Sequence, residues 1–331
     1  MIDHGWGRIE ARPNESQTMP TEPATTQATR SPGVRLVEDA SLTDLTVRNC
    51  TIRGTNHMGI KASRFFGGQL GGDGDLSDQE PLPIGHSQLL FENLNIQDTI
   101  TGIFLGNFSA DVAMNNVHID NTQRIALYTE AGSHRITLTD SIISNNQSRE
   151  ALAIDSTYES VVDNTVFINN REGAINVYQN CGELKGIVCP VIRSTPPNNN
   201  RFTNNRFIEN GISGLQIASR QGRNHSKGWC STLNGKAGKF IDTARNNVVR
   251  NNVFICNEGT ALKIHDAPNR ISDNTIVARN NCVPFEISTG GLGGNYQHVL
   301  DGLVFKTNKI DATRPPRLRN LGTNMDVSID D

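Results

Sequence analysis

The chain has 331 residues, with 31 Lys and Arg against 34 Asp and Glu for a formal charge of −3, and only 5% of its residues are aromatic. So near a balance gives no basic field for nucleic acid, and no run of 18 apolar residues is present that would make a membrane span. The modest apolar content (36%) suits a narrow core.

In chain order, residues 1 to 34 come first, rich in Thr, Pro, Glu, Gln and Ser. This composition predicts a disordered linker or the remnant of a longer chain, and it lacks the basic, apolar, small-residue order of a signal peptide. From there on an asparagine, or once an aspartate, recurs between apolar runs at Asn49, Asn93, Asn115, Asp140, Asn164, Asn204, Asn251, Asn274 and Asn308. The basic interval is 22 to 25 residues, and the longer ones are that unit plus an insertion. A period in this range means stacked units that bury their apolar faces against one another.

Each unit repeats two features. About three residues after the asparagine an apolar residue recurs (Ile52, Ile96, Ile143, Phe167, Phe207, Phe254, Val277), with His118 in that place once. Phe167, Phe207 and Phe254 fall in consecutive units and are expected to stack inside. About ten residues after the asparagine, a small residue opens an alternating run: Gly59 to Ser63, Gly102 to Gly106, Ala126 to Glu130, Ala151 to Asp155, Ala174 to Tyr178, Gly214 to Ala218 and Ala261 to His265, with a weaker copy at Pro284 to Ser288. Period two marks a strand with one buried face. Short strands without a helical period, joined at a polar turn, predict a parallel β-helix of about nine coils, with the asparagines forming an amide ladder.

In these repeats the chain resembles the right-handed parallel β-helix, or pectate-lyase-like, superfamily over roughly residues 42 to 311. The resemblance implies an all-β, single-stranded right-handed solenoid at 35–311, followed by an irregular tail at 312–331. It also implies an elongated surface for a polysaccharide, and a superfamily that includes lyases, hydrolases, epimerases and non-enzymatic surface proteins.

Insertions near 64 to 87, 179 to 199 and 219 to 246 all follow the alternating strand, so they overhang one edge and are expected to turn its outer face into a groove. Tolerated surface loops are the plainer reading. Reading outward positions rung by rung gives a middle column of Lys61, Phe104, Tyr128, Ala153, Asn176, Gln216, Lys263 and Glu286. A second column runs Ser63, Gly106, Glu130, Asp155, Tyr178, Ala218, His265 and Ser288.

Two clusters emerge. Glu130 and Asp155 share a column beside Tyr128 and Tyr178, and paired carboxylates suit a general acid with an ionised partner or oxygen ligands for Ca²⁺. Lys263, His265, Asp266 and Glu286 form the second, joined by Arg220 and Arg223 from the insertion. A Lys, Arg or His beside an acidic sugar can neutralise its carboxylate or, unprotonated, take the α proton, the demanding step of β-elimination and of C5 epimerisation. The candidate catalytic residues are therefore Tyr128, Glu130, Asp155, Tyr178, Arg220, Lys263 and His265, with Glu130 and Asp155 also candidates for Ca²⁺. Solvated ion pairs between neighbouring strands are the plainer alternative.

Polygalacturonases of the superfamily carry three aspartates near Gly-His-Gly, which is absent here. Its alginate epimerases carry Asp-Pro-His-Asp, of which Ile264-His265-Asp266-Ala267-Pro268 keeps only His-Asp. The Gly-rich stretch from Gly67 to Asp75 reads as a flexible insertion, and no Cys or His spacing suits zinc. Cys181 and Cys189 bracket an insertion and are expected to be bridged, which points to an oxidising compartment, while Cys50, Cys256 and Cys282 read as buried free thiols.

The function expected is an extracytoplasmic lyase or C5-epimerase on an acidic polysaccharide, secreted, periplasmic or at the cell surface, and monomeric. The alternatives are a glycoside hydrolase using Glu130 and Asp155, and a non-catalytic adhesin or phage-tail module.

Overall fold

A computed structural model describes residues 9–11, 33–36, 41–63, 85–130, 132–179, 195–218, 232–233, 236–237, 243–256, 258–292 and 294–329. Most of residues 1 to 34, the Gly-rich stretch, Cys181, Cys189, Arg220 and Arg223 lie outside them.

The described chain winds as a parallel β-helix with three faces. The first face is a sheet of eleven parallel strands, among them Met58–Ala62, Thr101–Leu105, Leu127–Thr129, Leu152–Asp155, Ile175–Tyr178, Ser213–Ile217, Thr260–Ile264 and Val283–Ser288. The second and third faces belong to one larger sheet, because the early strands Thr43–Arg53, Ser87–Gln97 and Ala110–Asp120 run through both. From His134 onward each coil gives these faces separate short strands, such as Val161–Asp163 and Val166–Ile168. The array continues past residue 311, where the tail was expected to be irregular: Arg317–Arg319 pairs with Val283–Ser288, and Asp326–Val327 pairs with Val304–Lys306.

The asparagine pattern has a local cause. At the corner between the second and third faces the chain adopts a left-handed conformation at Asn49, Asn93, Asn116, Asp140, Asn164, Asn204, Asn251, Asp273 and Thr307, which Asn and Asp tolerate best among residues with a side chain. Three positions differ by one from the sequence reading, which took Asn115, Asn274 and Asn308. The shift resolves the anomaly at His118, since three residues after Asn116 stands Ile119, fully buried and paired with Ile96 and Ile143. Likewise Ile276, not Val277, is buried and pairs with Phe254.

The residue after each left-handed turn points inward and leaves a backbone N–H in the core. Asn252 Oδ1 accepts from Asn205 N at 2.9 Å, Asn274 Oδ1 from Asn252 N at 2.9 Å, and Asn308 Oδ1 from Asn274 N at 3.0 Å. A second such column joins Ser160, Asn200, Asn247 and Asn269, and a third Asn146, Asn170 and Asn210. Between these columns one apolar interior runs from Val34 to Phe305. In it Phe167, Phe207 and Phe254 stack with centroids 5.3 and 4.5 Å apart.

Cys256 and Cys282 form a disulfide across 26 residues, correcting the expectation of free thiols. The parallel register brings together residues in adjacent coils that look isolated in sequence: Cys256 pairs beside Ala278, four residues before Cys282.

Two outcomes follow for stability. Asn252→Ala removes the acceptor of Asn205 N and the donor to Phe202 O, and is expected to cost about 2–5 kcal/mol, against about 1–2 kcal/mol for the exposed, left-handed Asn204→Ala; urea melts of both variants compare them. Replacing Cys256 and Cys282 with serine is expected to lower stability by about 3 kcal/mol, read by the same melts under non-reducing conditions.

Candidate functional site

The outward middle column of the first face is continuous. Lys61, Phe104, Tyr128, Ala153, Asn176, Gln216, Lys263, Glu286 and Arg317 are direct partners rung after rung. Adjacent rungs lie about 4.8 Å apart, so the column is a ribbon of polar and aromatic side chains, interrupted at the buried Ala153. The insertions expected to wall it lie largely outside the described residues.

The second column behaves differently. Asp155 is 0% exposed, Tyr178 1%, Ala218 0%, His265 6% and Ser288 4%. Alternation predicts an outward direction at these positions. The strands end here, however, and the backbone turns left-handed at Ser156 and Ala218, folding the chain over its own last residue. Tyr178 packs with Ile125, Ala153 and Tyr128 in a small apolar cluster separate from the interior.

Around that cluster, Tyr128 donates its hydroxyl to Asp155 Oδ2 at 2.9 Å, and Ser156 donates to Asp155 Oδ1 at 3.1 Å. Tyr178 donates to Glu150 Oε1 at 3.2 Å, and Glu150 Oε2 faces Arg149 Nε at 3.5 Å. Burial, and then the Glu150 and Asp155 carboxylates, push the Tyr178 phenol well above its ordinary value, so it stays protonated. Burial opposes the charge of Arg149, but Glu150 together with Tyr178 and Tyr128 outweighs it and the guanidinium is raised. Glu130 is half-buried, beyond the end of strand Leu127–Thr129. Its own carbonyl accepts from Ser133 N at 3.0 Å.

These contacts correct two roles. Asp155 and Tyr178 do not present free groups to a polymer; they support Tyr128 and Glu150. Nor does Asp155 fit the Ca²⁺ role, because hydrogen-bond donors hold both of its oxygens and Ca²⁺ requires six to eight oxygen ligands. Among the described residues no three His, Cys, Asp or Glu side chains gather in metal-binding fashion.

The second cluster sits toward the C-terminal coils. His265 Nδ1 donates to Ala218 O at 3.0 Å, and Nε2 faces Glu286 Oε1 at 3.3 Å. Ser288 donates to the same carboxylate at 2.8 Å, and Arg317 Nη1 stands 3.8 Å from its other oxygen. The hydrogen bond from His265, with those from Ser288 and the charge of Lys263, lowers Glu286 to about 2 despite burial. Lys263, paired beside Glu286, goes the other way: burial pulls its ammonium below the ordinary lysine range, although Glu286 resists. Asp266 turns away to the corner, accepting from Ala244 N at 2.7 Å.

The structure therefore brings Tyr128, Asp155 and Tyr178 together, and separately Lys263 and His265. From Tyr128 to Lys263 is four rungs, about 19 Å, too far to serve one bond. Sequence reasoning missed Arg149 and Glu150, which precede their strand, and Arg317, whose three-residue strand Arg317–Arg319 is too short to show alternation.

The chain belongs to the family described as the right handed beta helix region, whose pattern matches residues 32–228, more than half of its length. No curated protein matches it. Among solved structures it is similar to the A-module of the Azotobacter vinelandii mannuronan C-5 epimerase AlgE4, with 12% identity, TM-score 0.47, and 89% of this chain and 80% of that one covered. It is also similar to the Streptococcus pneumoniae surface protein and adhesin PfbA, with 13% identity, TM-score 0.42 and coverage of 88% and 86%. A third is the enzymatically active domain of bacteriophage CBA120 tailspike protein 2, with 10% identity, TM-score 0.38 and coverage of 83% and 38%.

Glu286 carries a pH prediction. Its folded value of about 2 lies below the ordinary 4.5, so as pH falls the unfolded chain takes up the proton first. The stabilisation is complete above about pH 5 and is lost between about pH 4.5 and 2. Acid melts of Glu286→Gln are expected to lack that component, on the order of 2 kcal/mol after allowance for solvent screening.

Proposed function

We propose that the protein is an extracytoplasmic carbohydrate-active enzyme, a lyase or C5-epimerase, that binds an acidic polysaccharide along the outward ribbon of the first face. The observation that carries this reading is the cluster of Lys263, Glu286, His265 and Arg317: a lysine that burial lowers below its ordinary range, beside a carboxylate that contacts both His265 and Arg317. A uronic acid seated there meets Arg317, about half exposed, at its carboxylate. Lys263 in its unprotonated form takes the C5 proton, and the electron pair left behind spreads into the sugar carboxylate that Arg317 neutralises. In elimination the C4–O bond then breaks as the C4–C5 double bond forms, and the leaving oxygen takes a proton from solvent water; in epimerisation water delivers a proton to C5 from the opposite face. Tyr128 lines a more distant part of the ribbon. The Cys256–Cys282 disulfide supports an oxidising compartment.

A glycoside hydrolase using Glu130 and Asp155 is disfavoured by the burial and hydrogen bonds of Asp155. The commitment of Asp155 and Tyr178 to internal contacts favours, as a second reading, a surface module that holds a glycan on the same ribbon without cleaving it.

The test is incubation with a panel of uronic-acid polysaccharides, with and without Ca²⁺, following ultraviolet absorbance of unsaturated products, reducing ends and C5 configuration by NMR. A lyase or epimerase signal is expected to fall at least 100-fold in Lys263→Ala, and the wild-type rate to climb with pH along a limb set by Lys263, below the ordinary lysine range. Glycan binding with no chemistry across the panel would establish the non-catalytic module.

A further inference from the structure

On the third face the outward side of the sheet is aliphatic where a solvated sheet carries polar groups. Ile168, Ile208, Ile255 and Val277 point outward and are direct partners on four successive rungs. Beside them, two residues earlier in each strand, runs a second outward column of Ile142, Val166, Arg206, Val253 and Thr275. All of these side chains are at least partly exposed, Ile142 at 41%, and none belongs to the apolar interior. On the second face, by contrast, the outward column from Arg48 to Lys306 is polar at every rung. A contiguous outward aliphatic patch of this kind marks an interaction surface.

The charges at the two ends of the patch select its partner. His118 and Asp120 precede it, and Lys309 and Asp311 follow it. In each pair the basic residue extends the column of Ile142 and the acidic one that of Ile168. When two copies meet face to face about a two-fold axis along the solenoid, each column lies opposite the other column at the same height. Lys309 then meets the partner's Asp311, and His118 meets the partner's Asp120, each twice over. Asp311 is about two-thirds exposed beside Arg279, which leaves it room for a second cation. Between these ends Val166 packs on the partner's Ile168 and Val253 on the partner's Ile255. Arg206 crosses the partner's Ile208 toward the partner's Glu209 at the corner. With the two solenoids reversed about the centre of the patch, each column would meet itself. Arg206 would face the partner's Arg206, and Asp311 the partner's Asp120, and juxtaposed like charges disfavour that arrangement.

We infer that the third face is the interface of a two-fold dimer of this chain, with the two solenoids side by side and pointing the same way. It replaces the monomer expected from the sequence. From Asp120 to Asp311 is six rungs, about 29 Å at the spacing of neighbouring strands. With a width of about 15 Å, roughly 900 Å² is buried between the two copies, which is the size of a weak, reversible interface. The ribbon of the first face takes no part, so the dimer stands or falls independently of the proposed activity.

The experiment is sedimentation velocity on the full chain over a concentration series from about 1 to 300 μM, where an interface of this size is expected to convert monomer to dimer. Ile208→Asp, at an outward position, is expected to weaken the dimer at least tenfold while circular dichroism and the melting temperature stay as in the wild type. Lys309→Glu and Asp311→Lys are each expected to weaken self-association about tenfold. An equimolar mixture of those two variants is expected to return to within about threefold of the wild-type affinity, because each then meets an opposite charge on the partner. That rescue belongs to the parallel arrangement alone. The inference is overturned if the chain stays monomeric throughout, whether a segment of its own or a foreign protein covers the face, if Ile208→Asp dimerises as the wild type does, or if the mixture shows no rescue.

Discussion

From Val117 onward, backbone N–H groups turn into the apolar interior at the corners, and a side chain of the next coil accepts them. The three inward columns of Asn, Ser and Thr meet that demand. Their hydrogen bonds hardly change while sequence separation does. Ser160 reaches Asn200 over 40 residues, Asn200 reaches Asn247 over 47 and Asn247 reaches Asn269 over 22, all at 2.8–3.0 Å. The extra chain in the first two intervals leaves after a first-face strand and returns before the column. Long insertions are thus tolerated at that one edge because the corners on either side are fixed, and loop length itself costs little. No coil is complete without its successor, so stability is shared between neighbours along the array.

This constraint explains what the sequence disclosed. A polar residue forced to recur every coil is visible without any structure, and so is the alternating strand, whose middle column pairs in the register read from sequence. The same signal misled by one residue where two candidates stood side by side, at Asn115-Asn116, Asp273-Asn274 and Thr307-Asn308. One conformational role, the left-handed turn, accepts Asn, Asp or Thr, while the inward role accepts Asn, Ser or Thr, so residue type alone cannot assign the pair. The distance to the next apolar residue can. Three residues on from Asn116 and Asp273 stand the buried Ile119 and Ile276.

The site was less legible because alternation says nothing about where a strand stops. Tyr178 and Asp155 have the right parity for exposure and are nevertheless buried. The missed groups, Arg149, Glu150 and Arg317, come from segments with no period to read. Charge was the more faithful guide. Lys263, His265 and Glu286 were grouped from sequence because they lie on neighbouring rungs of one face, and there the parallel register turns sequence columns directly into contacts.

The same register concentrates chemistry. The row from Asn176 through Gln216 and Lys263 to Glu286 and Arg317 passes from neutral amides to alternating charge within about 20 Å. The strands carrying Lys263 and Glu286 are also those next to the Cys256–Cys282 disulfide. Cys256 closes the third-face strand Val253–Cys256 just before Thr260–Ile264, and Cys282 immediately precedes Val283–Ser288. A covalent bond beneath two successive rungs fixes their spacing where Glu286 is held between His265, Ser288 and Arg317. In a fold whose coils are otherwise joined by hydrogen bonds and packing, the cross-link falls between the two successive coils that carry Lys263 and Glu286 as direct partners.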